Sequence, residues 1–305
     1  MGISIHQAKA IVKLFNKSNI SGRIFSAGRQ TIQISRDRAI EVTAAKTCSD
    51  NLNIDEDTRA AKVQTDEKGE RFISDRSFFS LIHDEPLESF DVTDYEGASI
   101  LLDLNYPIAS EHHNVAGFIL DGSTLDNVFN PAQALLNMVS MLDEGGVLYS
   151  LNVASLHYQP YSVVLPAMIY DFFVYNEFEE FEVYLYVYRE WYDTGKRSKN
   201  VFAIDPEELL RTYSYDDKLR HGFVPILKTN HASDVIGISF YAKKNASNIE
   251  NKYVFPVQAQ YRNDEHRKLY RDNLQKVSKS SLDLHQSTDA QFIKSPIGYR
   301  FIEPK

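Results

Sequence analysis

The chain has 305 residues, with 33 Lys and Arg against 42 Asp and Glu, a net charge of −9 and a pI near 5.5. The 43% hydrophobic content suffices for one large or two small domains, and the acidic balance argues against nucleic acid as a partner, because phosphate contacts need clustered positive charge. Cys48 is the only cysteine, which excludes an internal disulfide and a Cys-rich zinc site. No apolar run approaches the roughly 18 residues of a membrane span, and the first residues do not read as a signal peptide, so a soluble, cytoplasmic chain is expected.

Residues 4–15 place Ile5, Ala8, Ile11, Val12 and Phe15 at helical spacing behind Ser4, a candidate N-cap. Ser21-Gly22 breaks that pattern, and residues 23–27 form a short apolar run that ends in Gly28, predicting a first buried strand. Residues 36–70 are rich in charge and read as a solvated, partly helical insertion. A short capped helix is predicted over 74–82. Strands are predicted over 87–92, 98–102 and 116–120, with Asp91, Asp103 and Asp121 at or just beyond their ends. A helix over 131–142, a turn at Glu144-Gly145-Gly146, a strand over 147–151 and a helix over 166–175 follow. This alternation predicts an α/β protein with a parallel sheet between layers of helices, a three-layer sandwich.

Two later apolar and aromatic runs, 181–188 and 235–242, suit an antiparallel edge, with a short helix starting near Pro206 between them. From about residue 246 the chain is polar again. An extended piece, a surface helix over 262–277 and a loop-like stretch over 278–292 are expected there. The predicted organisation is one domain over 1–245 and a C-terminal extension over 246–305 packed on it.

In an open parallel sheet, ligands bind outside the carboxyl ends of the strands, where strand order reverses. A nucleoside needs a close backbone approach at the first turn, a carboxylate for the ribose hydroxyls after the second strand, and a polar group for the adenine edge after the third. Gly28, Asp91, and Asp103 with Asn105 supply those types in that order. The same residues also suit turns and helix caps. There is no GxGxxG, so a nicotinamide-dependent oxidoreductase is the weaker option. His112 and His113 are adjacent and point opposite ways on an extended segment, so no metal site is expected there.

The run from Phe90 to Asn130 contains Asp-Tyr-Glu-Gly-Ala at 94–98, Asp-Leu-Asn-Tyr-Pro at 103–107 and Phe-Ile-Leu-Asp-Gly-Ser-Thr-Leu-Asp-Asn-Val-Phe-Asn at 118–130. It resembles class I S-adenosylmethionine-dependent methyltransferases, in particular a branch of methyltransferase-like proteins often encoded with bacterial surface-polysaccharide genes. The resemblance covers about residues 20 to 180, and Leu142-Asp143-Glu144-Gly145-Gly146 and the stretch 255–262 also fit it. It implies a Rossmann-like, mainly parallel seven-stranded sheet ending in an antiparallel hairpin, with S-adenosyl-L-methionine as cofactor. Gly28, Arg29 and Gln30 would lie at the methionine and ribose end, Asp91 at the ribose, Asp103, Leu104 and Asn105 at the adenine, and Asp121 and Gly122 near the transferred methyl. The chain departs from the branch at Asp126-Asn127, where a Glu-His pair is usual, and in having one glycine in the first motif. Asp121 and His157 are the candidates for orienting or deprotonating an acceptor, a sugar or glycan-linked small molecule. The alternative is a non-catalytic binding or scaffold protein that keeps the fold.

Overall fold

A computed structural model describes the chain except residues 1, 45–52, 60–64, 67, 156–159, 189–198, 205–234, 259–260, 278–289, 295–298 and 305. It forms two compact units, Met1–Ser150 and Leu151–Lys305.

The first unit begins with α1 (Ile5–Ser18), whose entry is fixed by the Ser4 N–H donating to Gln7 Oε1 at 2.6 Å. The predicted stripe is the buried one: Ala8, Ile11, Val12 and Phe15 face inward. The sheet is built around β1 (Ile24–Ala27), which pairs in parallel with β4 (Leu87–Asp91) on one side and β6 (Ala116–Gly122) on the other. β5 (Ile100–Leu101) adds in parallel to β4, and β7 (Leu142–Val153) lies beside β6, giving the order β5-β4-β1-β6-β7. Strand order therefore reverses at β1. All four β1 residues are buried, as expected for a strand covered on both faces.

Register sets the faces. Ser26 is level with Ser89 and Leu120, and Ile24 with Leu87 and Phe118. On that face, Phe118 packs against Phe15 of α1 and against Phe79 of α3 (Asp75–Ser80), with ring centroids 4.8 and 5.9 Å apart. The opposite face, carrying Phe25, Phe90 and Ile119, is also buried. α4 (Pro131–Met141) starts with Pro in its first turn, and the Asn130 side chain accepts from the Gln133 N–H at 3.3 Å.

Sequence patterning did not give a small antiparallel pair, β2 (Thr31–Ser35) with β3 (Phe72–Ser74), separate from the main sheet. Three- and five-residue strands carry too little alternation to stand out from loops. The helical part of the charged insertion is α2 (Arg36–Thr43). Further along, residues 55 and 57 are tied to the end of β3: the Ser74 N–H donates to Asp55 O and the Asp57 N–H to Phe72 O, at 2.8 and 2.9 Å.

The second unit contains α5 (Pro166–Tyr175), β8 (Glu180–Tyr188), β9 (Lys199–Ile204), β10 (Val235–Lys243), α6 (Asp264–Lys276), β11 (Ala290–Lys294) and β12 (Tyr299–Pro304). β8 and β10 form the expected antiparallel pair, in register from Val235 opposite Tyr188 to Lys243 opposite Glu180. The end of β7 lies in this unit, where the Ala154 N–H donates to Ile236 O at 2.8 Å. The fold is thus a Rossmann-like α/β fold. Its seven expected strands are β5, β4, β1, β6 and β7 of a mostly parallel half, together with the antiparallel β8 and β10. The antiparallel part runs further than expected, through β9, β12 and β11. β11 begins inside the stretch read as loop-like. Its strand character comes from pairing with β12, a contact that no local pattern in 278–292 announces. The helix expected near Pro206 lies outside the described residues.

The described residues between 245 and 277 pack within the second unit, with contacts to α5 and its end. Asn176, just past α5, clamps Val254 from both sides: its Nδ2 donates to Val254 O at 3.0 Å and its Oδ1 accepts from Val254 N–H at 2.7 Å. Asn273 of α6 donates to Val174 O at 3.1 Å. The core below is aromatic, with Phe173 meeting Phe178, Phe181 and Phe240 at centroid distances of 4.9, 5.3 and 5.8 Å.

Candidate ligand site

The site lies in the first unit, at the carboxyl ends of β4, β1 and β6. Parallel pairing levels these ends: Ala27 is opposite both Phe90 and Asp121, and the Gly28 N–H donates to Phe90 O at 2.8 Å. Gly28 has a φ of +67°, in the left-handed region that glycine adopts without strain. A β-carbon there would come within 3.3 Å of Asp91 Oδ2. A side chain at this position would press on the Asp91 carboxylate, so the bare glycine backbone lies directly beside that group.

The loop after β1 is pinned from α3. Asp75 is fully buried and accepts from Arg29 Nε at 2.9 Å and Nη2 at 2.5 Å, and from the Gln30 backbone N–H at 2.8 Å. Burial alone would raise the Asp75 carboxyl. The hydrogen bonds and charge of Arg29, with the charge of Arg59 and the Gln30 N–H, outweigh it and hold the group below its ordinary value. Arg29 is therefore engaged within the protein and fixes the loop. A second arginine, Arg59, reaches in from the charged insertion. Its Nη2 donates to Gln30 O at 2.7 Å and to Asp57 Oδ2 at 2.8 Å, and Nη1 lies 3.5 Å from Glu96. Sequence reasoning missed Asp75 and Arg59 as site residues. Their partners lie 46 and 29 positions away, so no local spacing could reveal them.

Beyond β5, Asp103 Oδ1 accepts from both the backbone N–H of Asn105 at 3.0 Å and its Nδ2 at 2.8 Å. Asn105 Oδ1 in turn accepts from the Asn130 N–H at 2.9 Å, so this amide joins the third strand end to the start of α4. Leu104 is buried, and its carbonyl accepts from Asn137 at 3.1 Å. Four large apolar side chains in these loops stand exposed: Val92, Tyr95, Tyr106 and Phe129.

At the end of β6, Asp121 is fully buried. Its Oδ1 accepts from the Thr124 N–H at 2.7 Å and its Oδ2 from Ser150 Oγ at 2.6 Å. A β-carbon on Gly122 would overlap the Gln30 side-chain amide. His157, the other candidate acceptor group, lies outside the described residues. The structure brings together Gly28, Gln30, Asp91 and Gly122, places Asp103, Leu104 and Asn105 in the adjoining loop, and buries Asp121 behind them. Among the described residues no group of three or more His, Cys, Asp or Glu could hold a metal ion, and no helix is long and apolar enough to cross a membrane.

Ser123 sits at φ +82°, strained for a side-chain-bearing residue, yet its hydroxyl donates to both oxygens of the buried Asp126, at 2.8 and 2.9 Å. The two effects separate by substitution. Ser123→Ala keeps the strain and loses the charge-assisted bond, an expected cost of about 2–3 kcal/mol. Ser123→Gly also relieves the strain, so it should be less destabilised, by roughly 1 kcal/mol. Chemical denaturation of both variants measures the difference. Equal stabilities would show that the positive φ stores no strain.

No family model matches the chain, and no curated protein sequence matches it significantly. Among solved structures, it is similar to an S-adenosylmethionine-dependent methyltransferase from Thermotoga maritima, described as a possible histamine N-methyltransferase. Identity is 12%, the match covers 79% of this chain and 92% of that one, and the TM-score is 0.33. It is also similar to a structure from Rhodobacter sphaeroides described as a zinc-dependent alcohol dehydrogenase, at 9% identity, 96% and 88% coverage and a TM-score of 0.26.

Proposed function

We propose that the chain is an S-adenosylmethionine-dependent methyltransferase whose acceptor is a sugar or a glycan-linked small molecule, working in the cytoplasm on surface-polysaccharide precursors. The observation that carries this reading is the close approach of the bare Gly28 backbone to the Asp91 carboxylate, at the strand where sheet order reverses. Asp91 suits two ribose hydroxyls, which donate to a carboxylate. Asp103 and Asn105 suit an exocyclic amine on the third strand end, and exposed Val92 offers an apolar surface for a flat base. When bound, the cofactor supplies an electrophilic methyl carbon on a sulfonium. The protein's task is then to hold the acceptor oxygen or nitrogen in line and to take its proton. Transfer would form the acceptor–carbon bond as the carbon–sulfur bond breaks, and would leave a neutral thioether. His157 and Asp121 are the proposed groups for orienting or deprotonating the acceptor.

One observation favours the second reading, a binding or scaffold protein that retains the fold. Both oxygens of Asp121 already accept hydrogen bonds, which leaves it better suited to shaping the strand end than to taking a proton.

Isothermal titration with S-adenosylmethionine and S-adenosylhomocysteine tests the cofactor. Asp91→Ala should weaken binding by about 1.5–3 kcal/mol through loss of charge-assisted hydrogen bonds. Comparison of cellular glycans by mass spectrometry with and without the gene tests the acceptor. A methyl-sized loss restored by the wild type but not by Asp91→Ala supports transfer, and unchanged glycans alongside normal ligand binding favour the scaffold reading.

A further inference from the structure

The Gln30 amide is the side chain that stands over the switch in strand order. It is 6% exposed and occupies the place that a β-carbon on Gly122 would take, and its Nε2 comes within 4.0 Å of the corresponding position on Gly28. Its backbone cannot move easily: Asp75 holds its N–H and Arg59 its carbonyl oxygen. Its side chain is held far less firmly. The only hydrogen bond that the amide makes among the described residues is from Nε2 to Ala27 O, at 3.0 Å. With the backbone fixed at two points, a change of rotamer that breaks one hydrogen bond moves the amide alone.

A second, independent feature lies on β1 and β4. One step down the strands from Asp91 and Gly122, on the same face of the sheet, Ser26 and Ser89 stand level with each other in the parallel register. Both are fully buried, and neither hydroxyl has a hydrogen-bond partner among the described residues. Buried hydroxyls in native proteins are nearly always satisfied, so a neighbouring pair left open marks a polar niche that takes water or a ligand group.

We propose that Gln30 is a gate: its amide plugs a polar niche floored by Ser26 and Ser89, and the polar, amino-acid-like arm of a nucleoside ligand enters only when the amide swings aside. This rests on the methyl-donor reading of the site but assigns to Gln30 a role that reading does not contain. A residue that only contacts ligand weakens binding when truncated, whereas a gate competes with ligand and strengthens binding when truncated.

The test is titration of S-adenosylhomocysteine into the full-length wild type, Gln30→Ala and Gln30→Ala/Ser89→Ala, with thermal unfolding to establish that each variant is folded. Releasing one hydrogen bond removes the cost of opening, so Gln30→Ala should bind roughly fivefold to tenfold more tightly. Adding Ser89→Ala should reverse much of that gain, because the niche loses a hydroxyl. Wild-type binding that is unchanged or weakened in a folded Gln30→Ala overturns the gate and leaves the methyl-donor reading standing. Absence of binding by both wild type and Gln30→Ala overturns that reading and the gate with it. Binding by Gln30→Ala alone supports both.

Discussion

Replacing Asp75 by Ala is expected to destabilise the first unit by about 3–5 kcal/mol, the range for removing one partner of a buried ion pair. Arg29 would be left almost fully buried without its counter-charge, and the Gln30 N–H would lose its acceptor. Asp75→Asn should recover part of the loss, because an amide oxygen can still accept from the Gln30 N–H but carries no charge for Arg29. The effect has a pH signature. The folded-state pKa of Asp75 lies below its ordinary value of 3.8, so between the two values the unfolded chain binds more protons than the native one. The stabilisation is therefore complete above the ordinary value and is lost as pH falls through the folded value. In urea unfolding, the wild type and Asp75→Asn should stay separated down to about pH 4 and converge below it. A gap that persists unchanged to pH 2 would mean that the carboxylate charge is not what stabilises the loop. On the proposed methyl-donor reading, a folded Asp75→Asn should also bind S-adenosylhomocysteine more weakly than wild type, since the loop carrying Gly28 and Gln30 loses its anchor.

Arg262→Ala is expected to cost a similar amount, about 3–5 kcal/mol, in the second unit. Arg262 Nη2 lies 2.7 Å from Asp171 Oδ1, its Nε donates to Val257 O at 2.8 Å, and its guanidinium carbon sits 3.9 Å above the centre of the Tyr270 ring and 5.2 Å from that of Tyr175. Burial pushes the Asp171 carboxyl above its ordinary value, and the charge of Arg262 offsets this only in part. Removing Arg262 thus leaves an uncompensated carboxylate under α6, along with two aromatic faces without their cation. The charge explanation makes a further prediction. Asp171→Leu/Arg262→Met, which removes both charges and keeps apolar bulk, should be far closer to the wild type than Arg262→Ala. If the double variant is as unstable as the single one, packing and the Val257 contact hold the segment, and the ion pair contributes little. The readout is the midpoint of chemical denaturation, followed by the fluorescence of the tyrosine-rich second unit.

Much of the first unit was legible from the amino-acid order because its determinants are local. The stripe Ala8, Ile11, Val12 and Phe15 is spaced for one face of a helix, and the apolar stretches at β1 and β6 are short and bounded by turn residues. Parallel strands buried on both faces must read that way, and helices between them must cover those faces. The same logic located Gly28, Asp91, Asp103 and Gly122 at strand ends. In the second unit the alternating aromatic runs marked β8 and β10, but β11 is held as a strand by β12, and β12 by β11 and by β9, which lies far earlier in the chain.

The sequence by itself, then, determined which residue types stand at the ends of the parallel strands, because a strand's burial and its boundaries are written in neighbouring residues. Only the tertiary structure decided what those residues do there. It set Gly28 beside Asp91, tied Arg29 to Asp75 across 46 positions, spent both oxygens of Asp121 on Thr124 and Ser150, and set the Gln30 amide against Gly122. Each of those outcomes depends on pairing register and on hydrogen bonds between segments far apart in the chain. Such contacts form only when the whole sheet closes, so no window of sequence contains them.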